Sequence, residues 1–396
     1  MSYRILQFSD SHLGFSQYSM STRLRDFGLA LDEVLRVATE KEVDLVVDCG
    51  DTFHSPEPDP LSVAMYRRFA ERLQTADIPF MAIVGNHNVH RVGRQFSENP
   101  SWMEAVSDRI IRPERPEDPI SLKGRDGSFI DIVAADWMPS DQIDSFLARI
   151  PKQDGPIDAI FMHQSTEGFM PVIARSEMTI KQVDGIARYV GVGDIHVMNK
   201  IVGPLGTLVG SSGSTELVSL GESVHKYVVL IEIPTKGDIQ WTPVPIQTRR
   251  IVQFPLIDSS EALIDAATKL RDGRNVPIEG FHGQEDPLVI LPYGSFGVER
   301  QALELKKTLE AEGFTMLRFV REAAVEQETN FVATEKRSSM AMPEIIAELL
   351  EATPHLIPVA QDLWNNHENA NLVLDALLES IRKESATEAP PPPPVQ

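Results

Sequence analysis

The sequence predicts a layered α/β fold that is followed by a smaller α/β domain and a helical C-terminal tail. Strand-like and helix-like segments alternate over the first 250 residues, which is typical of layered α/β proteins. The elements become shorter and closer together around Arg249–Phe254, and amphipathic helical patterns return after Pro343. A chain of 396 residues exceeds the roughly 150 residues of an average domain, so we expect about two to three domains.

The first domain is predicted to span residues 1–250. Its predicted strands are Arg4–Ser9, Asp44–Gly50, Pro79–Val84, Phe129–Ala135, Ala159–Met162, Tyr189–Gly193 and Tyr227–Ile233. Its predicted helices are Arg23–Lys41, Leu61–Leu73 and Asp141–Arg149. The run Asp44–Gly50 is nearly all apolar, which is typical of a strand that is buried on both faces.

The rest of the chain is predicted to form three further regions. A second α/β domain over residues 251–332 should contain, in order, Glu261–Leu270, Leu288–Leu291, Phe296–Glu312 and Thr315–Val320 as helix, strand, helix and strand. Residues 333–384 should be a polar linker and two amphipathic helices that bind a partner, with packing against the second domain as the alternative. Residues 385–396 end in a proline run without core-forming side chains and should be disordered.

Composition limits both the cellular location and the kind of partner. With no apolar window near the ~18 residues of a membrane span, no signal-peptide pattern and one cysteine, Cys49, we expect a cytoplasmic protein without membrane contact. The chain has 37 basic and 58 acidic residues, a formal net charge of −21. A protein that only coats DNA is basic, so binding to phosphate would need a metal ion or a partner.

Five short polar clusters follow five of the predicted strands. Their members are Asp10 and His12, Asp51 and His54, Asn86 and His87, His163, and Asp194 and His196. Ligands bind at the carboxyl ends of strands in α/β sheets, so the clusters are expected to converge on one crevice. Their side chains suit manganese, iron or zinc. A lone Asp-x-His is more often a loop, but five clusters in order favour a site for two metals, with Asp51 as the bridge.

This series of clusters resembles the calcineurin-like metallophosphoesterases and, more narrowly, the SbcD-type nuclease subunits of double-strand-break repair. Protein phosphatases of the wider superfamily usually have Asp where this chain has His54, which favours the nuclease branch. The segment Val209–Glu216 is similar to that branch's Pro-Gly-Ser-x-Glu element. The resemblance implies a metallophosphoesterase sandwich, a small α/β capping domain over residues 251–332, and a helical tail.

The resemblance also assigns roles to the clustered residues. One metal would be bound by Asp10, His12, Asp51 and His196, and the other by Asp51, Asn86, His163 and Asp194. His87 would stabilise the transition state, and His54 would contact the phosphate. The cofactors would be two divalent ions, with manganese favoured.

Two positions depart from the family pattern. Asp194 stands where His is usual, and it should favour harder metals such as manganese or magnesium. Asn88 stands where Asp is usual, so the neighbouring His87 loses a carboxylate that would stabilise its charged form.

The implied function is a metal-dependent DNA nuclease, an exonuclease on DNA ends with endonuclease activity on single strands. The implied partners are DNA and an SbcC-like coiled-coil ATPase. A homodimer is also implied, with Arg23–Lys41 and Ser97–Val106 as candidate contacts. Two alternatives stay open: a phosphatase or cyclic-nucleotide phosphodiesterase of the same superfamily, and a scaffold subunit whose catalysis has lapsed through Asn88 and Asp194.

Overall fold

A computed structural model describes residues 2–89, 91–92, 95–96, 101–112, 115–151, 155–169, 176–219, 222–273, 287–294, 298–315 and 317–321. Numbered along the chain, the strands are β1 (Ser2–Phe8), β2 (Leu45–Asp48), β3 (Phe80–Ala82), β4 (Arg91–Val92), β5 (Gln95–Phe96), β6 (Ile120–Lys123), β7 (Phe129–Ala135), β8 (Ile157–Met162), β9 (Ala187–Val192), β10 (Asn199–Val202), β11 (Leu208–Ser211), β12 (Lys226–Pro234), β13 (Gln240–Ile246), β14 (Ile251–Gln253), β15 (Leu288–Tyr293) and β16 (Leu317–Arg321). The α-helices are α1 (Ser21–Glu40), α2 (Pro60–Thr75), α3 (Ser101–Glu104), α4 (Ser140–Arg149), α5 (Ile180–Val183), α6 (Ser260–Gly273) and α7 (Glu299–Ala311). Short 3₁₀ helices span Gln17–Ser19, Asn86–Asn88 and Ser107–Arg109.

Two mixed sheets form the larger part of this structure. The first has the strand order β13-β12-β1-β2-β3, and the second has the order β10-β11-β9-β8-β7-β6. In the first sheet β1, β2 and β3 are parallel, with Ile5 paired to Leu45. In the second sheet β7, β8, β9 and β11 are parallel. The carboxyl ends of the parallel strands in each sheet therefore lie at one edge of that sheet.

The apolar side chains show how these layers stack. One core joins Ile5 and Val47 of the first sheet to Ile132 and Phe161 of the second, so the two sheets pack face to face. A second core lies between the first sheet and α1 and α2, and a third lies between the second sheet and α4 and α5. The order helix, sheet, sheet, helix confirms the layered α/β fold that the sequence predicts.

The two helices that cover the first sheet form for local reasons. In α1, Phe27, Leu31 and Val34 recur at helical spacing and are buried. Helix α2 begins where the Asp59 side chain accepts hydrogen bonds from the backbone N–H groups of Leu61 and Ser62, at 2.9 and 3.1 Å. These helices hold β1 and β2 in place and so fix the loops that follow them.

A separate parallel sheet of order β14-β15-β16 forms beyond residue 250. Helices α6 and α7 pack on it through Leu263, Ala302 and neighbouring residues. Its strands also contact the larger part, because Ile251 and Leu288 share a small core with Leu217. The predicted boundary between residues 250 and 251 stays a prediction.

Each of the fourteen strands and helices predicted up to residue 321 has a counterpart in the structure, with ends within three residues of the prediction. Seven strands and one helix were not predicted from the sequence: β4, β5, β6, β10, β11, β13, β14 and α5. Strand β13 contains Pro243 and Pro245, which argue against a strand but are tolerated here because β13 is an edge strand. The linker, helical tail and proline-rich end at residues 333–396 lie outside the described residues. Within the described part of the chain, no helix is long and apolar enough to cross a membrane.

Candidate metal centre

All nine residues that the sequence singles out meet at one place in the structure. They follow the carboxyl ends of β1, β2, β3, β8 and β9, where the sequence predicts a common crevice. Direct contacts connect them: Asp194 N–H donates to Asp10 Oδ1 at 3.2 Å, and His87 N–H donates to Asp51 Oδ1 at 3.0 Å. The two sheets therefore contribute to a single site.

The loops that carry these residues have strained backbones. Asp10, His12, Asp51 and Asp194 have φ angles of 54°, 40°, 50° and 69°, in the left-handed region that non-glycine residues rarely adopt. Such conformations cost about 1–3 kcal/mol each and concentrate at functional sites. Four of the seven non-glycine residues with positive φ in the described chain belong to this one cluster. Their geometry thus supports a binding role.

Asp10, His12 and His196 form a first trio, with ligand atoms that all lie within 4.8 Å of one another. The Nε2 atoms of His12 and His196 face each other at 3.1 Å, and Asp10 Oδ1 lies 3.9 Å from His196 Nε2. Asp10 and His12 are fully buried. Two nitrogens at this spacing can reach the same cation.

Asp51 and His163 form the centre of a second group. Asp51 Oδ2 lies 3.4 Å from His163 Nε2, and Asp194 Oδ1 lies 3.9 Å from the same nitrogen. The Asn86 side-chain amide donates to Asp194 Oδ1 at 3.1 Å. Asp10, Asp51 and His163 also place their ligand atoms within 4.8 Å of one another, so the two groups are adjacent.

Two hydrogen bonds fix which nitrogen His163 and His196 offer to the site. His163 Nδ1–H donates to the backbone carbonyl of Cys49 at 2.7 Å, and His196 Nδ1–H donates to Glu222 Oε1 at 2.8 Å. Because Nδ1 keeps its proton in each bond, Nε2 is the nitrogen that is directed into the site and that a cation would bind, the usual arrangement behind metal-binding histidines. Sequence reasoning missed both partners. A backbone carbonyl leaves no sequence signal, and Glu222 is one of 58 acidic residues in the chain, with no recognisable motif around it.

The buried charges change the acidity of the cluster. Burial raises the pKa of Asp10 to about 6, although His196 and His163 oppose this. Burial would also raise the pKa of Asp51, but His163 and His87 outweigh it and hold that pKa well below its usual range. The carboxylates raise the pKa of His163 despite its burial, with Asp51 contributing most. The site therefore has a negative potential that favours bound positive charge.

The donor set fits divalent metal ions. Several buried polar atoms lack a hydrogen-bond partner: Asp10 Oδ2, His12 Nδ1, Asn86 Oδ1 and His163 Nε2. Buried polar atoms are nearly always satisfied, and a bound ion is one of the few explanations for such exceptions. Carboxylate, amide and imidazole ligands together match manganese, iron or zinc. The assignment of each residue to one ion or to both stays a prediction.

His54 and His87 lie on the more open side of the site, and their ring nitrogens are within 4.8 Å of each other and of His12. His87 Nδ1–H donates to the His54 carbonyl at 3.2 Å. The His54 ring stacks on Phe15 with centroids 4.0 Å apart. Burial and the neighbouring histidine His87 lower the pKa of His54 to about 4, so its ring is neutral at pH 7.

The two departures from the family pattern have separate structural explanations. Asp194 lies beside the second group, with Oδ1 3.9 Å from His163 Nε2, and its role as a ligand stays a prediction. Asn88, however, is fully buried, and its amide donates to the backbone carbonyl of Phe53 at 2.7 Å. A carboxylate cannot donate that bond, so the described contact of Asn88 is with the backbone and not with the ring of His87. The element ending in Glu216 also has a structural contact, since Glu216 pairs with the buried Arg23 at 3.3 Å.

Comparison with known proteins agrees with this geometry. The family model for calcineurin-like phosphoesterases matches residues 3–198. The DNA double-strand break repair protein Mre11 of Methanosarcina acetivorans is 27% identical over 235 residues, which cover 59% of this chain and 37% of that protein. The protein of the same name from Haloferax volcanii is 26% identical over 304 residues, 76% of this chain and 66% of the relative. These matches span less than two thirds of either relative.

Other similarities are shorter or looser. A Halobacterium salinarum protein, also a DNA double-strand break repair protein Mre11, is 40% identical over 84 residues, 21% of this chain and 22% of the relative. The crystal structure of a dimetal phosphatase from Danio rerio aligns over 61% of this chain and 98% of its own, with a TM-score of 0.36 and 10% identity, too loosely to support an argument. The family match and the clustered ligand set together lead to one conclusion. The chain has a calcineurin-like metallophosphoesterase domain over residues 3–198, from a family of metal-dependent phosphoester hydrolases.

Proposed function

We propose that this protein is a two-metal DNA nuclease that hydrolyses phosphodiester bonds at DNA ends and in single strands during double-strand-break repair. The observation that carries the proposal is the convergence of Asp10, Asp51, His163 and His196 in one cluster. In it Asp10 and Asp51 have left-handed backbones, and Asp10 Oδ2 and His163 Nε2 are buried without a hydrogen-bond partner. Two divalent ions bound there would activate a water molecule and neutralise charge on the phosphate. We propose manganese as the metal, because the carboxylate-rich ligand set suits it.

The chain's own residues would bind and orient the phosphodiester. His54 and His87 lie beside the two ligand groups on the open side and can donate hydrogen bonds to phosphate oxygens. His87 is held by its Nδ1–H bond to the His54 carbonyl, so Nε2 is the nitrogen directed away from that bond. We assign to His87 the transfer of a proton towards the leaving oxygen. His54 is neutral at pH 7 and would position the phosphate without adding charge.

Two features support DNA as the substrate. The Mre11 relatives are named as DNA double-strand break repair proteins. His54 also stands where phosphatases of the superfamily usually have a carboxylate, and a neutral ring does not repel a polyanionic strand. With a net charge of −21, the chain has little general attraction for DNA, so the metals and a partner would have to provide the binding to the strand.

The proposal is tested by incubating the purified full chain with Mn²⁺ and end-labelled blunt duplex DNA, circular single-stranded DNA or a chromogenic phosphate monoester. We expect cleavage of both DNAs that requires Mn²⁺ and falls at least about a hundredfold in His87→Ala. His225→Ala, an exposed histidine outside the cluster, is the matched control and should cleave normally. Hydrolysis of the monoester without DNA cleavage would instead identify a phosphatase. Bound metal without hydrolysis of any substrate would favour the lapsed scaffold.

We also propose an SbcC-like coiled-coil ATPase as the partner, bound through the predicted helices within Pro343–Ile381. The support is the amphipathic pattern of that segment, which is typical of helices that dock into a groove of another protein. A truncation ending at Ser339 should keep Mn²⁺-dependent cleavage of simple substrates but fail to co-purify with the ATPase. Equal binding by the truncated and full chains would contradict this assignment.

A homodimer through Arg23–Lys41 and Ser97–Val106 is the remaining partner proposal. Arg23 itself cannot be part of the first candidate segment's dimer contact, because it is fully buried in ion pairs with Asp26 and Glu216. Only the exposed face of α1 is available for such a contact. Sedimentation of the full chain would distinguish a dimer from a monomer.

A further inference from the structure

Glu222 is a buried carboxylate that touches a predicted metal ligand but cannot itself be one. Its Oε1 accepts hydrogen bonds from His196 Nδ1–H at 2.8 Å and from the N–H and hydroxyl of Ser219 at 3.0 and 2.8 Å. Its Oε2 accepts from Lys226 Nζ at 2.7 Å, from the Ser214 hydroxyl at 3.1 Å and from Val218 N–H at 3.2 Å. Six donors thus occupy its two oxygens and leave it no free position for a cation.

The loop that carries Glu222 is itself fixed to the rest of the molecule at several points. Ser214 forms a β-bridge with Ser9, the residue before Asp10. Leu217 is fully buried against Ile251 and Leu288 of the C-terminal sheet. The Glu222 side chain is only 6% exposed. A carboxylate held this firmly can define the orientation of the one imidazole that it contacts.

We propose that Glu222 is the positioning residue of the first metal trio: it fixes the tautomer and ring orientation of His196, and thereby sets the affinity of the cation bound by Asp10, His12 and His196. This bond holds the His196 ring at Nδ1, whereas Nε2 of the same ring faces His12 Nε2 at 3.1 Å. Without Glu222 the ring can rotate or place its proton on Nε2, and either change removes a ligand. Lys226 serves to hold the carboxylate in place and to balance its charge.

This inference rests on the metal centre but not on DNA as the substrate, so its test measures metal binding. Mn²⁺ is titrated into the full chain, and bound ion is measured from the loss of the free-Mn²⁺ electron paramagnetic resonance signal. We expect two ions per wild-type chain. In Glu222→Ala one of the two should bind about 10–100-fold more weakly while the other is unchanged, as in a His196→Ala reference. Glu222→Gln keeps an acceptor for Nδ1–H, so its loss should be smaller.

Glu216→Gln provides the matched control. Glu216 is also buried and lies in the same loop, but its partner is Arg23 and not a metal ligand. This variant should lower the melting temperature without changing either Mn²⁺ affinity. The proposal is overturned if Glu222→Ala and Glu222→Gln both keep the two wild-type affinities, or if Glu216→Gln weakens Mn²⁺ binding as much as they do. Should Glu222→Ala fail to fold, the comparison of Glu222→Gln with Glu216→Gln decides the matter alone.

Discussion

Gly193 lies between two groups that orient the second ligand cluster, and adding one methyl group there should disturb metal binding. A Cβ atom on Gly193 would lie 2.2 Å from the Cys49 carbonyl oxygen and 2.5 Å from His163 Nδ1. These two atoms are the partners of the 2.7 Å hydrogen bond that fixes the His163 ring. The methyl group in Gly193→Ala would therefore be forced into that bond.

The size of the effect follows from these distances. Relief of the overlap requires a shift of roughly 1 Å, because non-bonded atoms prefer separations near 3.5 Å. Cys49 and His163 are fully buried, so neither can move freely. Overpacking of this kind costs about 1–3 kcal/mol, and each kcal/mol lowers the melting temperature by about 2–4 °C in a domain of this size. Loss of the bond behind a metal ligand should weaken one Mn²⁺ site by about 10–100-fold.

Gly294→Ala is the control for this experiment, since neither glycine has a positive φ and a Cβ on Gly294 would meet its nearest atom at 3.7 Å. Thermal unfolding and Mn²⁺ titration of both variants should show a defect in Gly193→Ala alone. If Gly193→Ala melted like the wild type and bound two ions with unchanged affinity, the Cys49–His163 contact would not control the site.

Three further predictions concern the charges of the site. Glu222 outweighs burial and raises the pKa of His196 to about 9, so in metal-free protein this pair stabilises the fold below pH ~6.5 and loses its contribution as pH rises towards 9. Urea unfolding in chelator should show that decline, and a flat profile between pH 6.5 and 9 would argue against it. Asp51→Asn keeps the shape but removes the central charge, and should weaken Mn²⁺ binding at least about tenfold in the same titration. Asp194→Ala should weaken one Mn²⁺ site and spare the other, whereas Asp194→His should bind both ions with a changed preference between Mn²⁺ and Zn²⁺; unchanged affinities in Asp194→Ala would make Asp194 a bystander.

The parts of the fold that sequence could predict are those with strong local patterns. Strand Phe129–Ala135 is recovered without error because its apolar run is bounded by turn residues. Strands β10 and β11 were missed because neither has a continuous apolar run: β10 begins with Asn199 and Lys200, and β11 ends with Gly210 and Ser211. Short strands of this kind are stabilised by neighbouring strands rather than by their own sequence.

The clustered residues of the candidate site could be predicted from the sequence, but the groups that hold them in place could not. Asp10, His12 and the other clustered residues could be found because each follows an apolar strand, and parallel strands bring their ends together. Glu222 and the Cys49 carbonyl could not be found, since their roles depend on contacts across the two sheets. The partner of Asn88 was missed for the same reason: a side chain two residues from a ligand can face the backbone of another loop.

Asp194 shows how one substitution can be accommodated in a crowded acidic site. Its Oδ1 accepts the Asn86 amide at 3.1 Å, so Asn86 directs its own Oδ1 elsewhere, and that oxygen has no hydrogen-bond partner in the described chain. Asp194 N–H also donates to Asp10, which links the two ligand groups through one residue. A histidine at this position would supply a neutral nitrogen, whereas Asp194 adds a third aspartate to Asp10 and Asp51. Because neighbouring buried carboxylates repel one another, bound cations should stabilise this site more than a site with the usual family pattern. Since the additional ligand atom is an oxygen, we expect a preference for hard divalent ions.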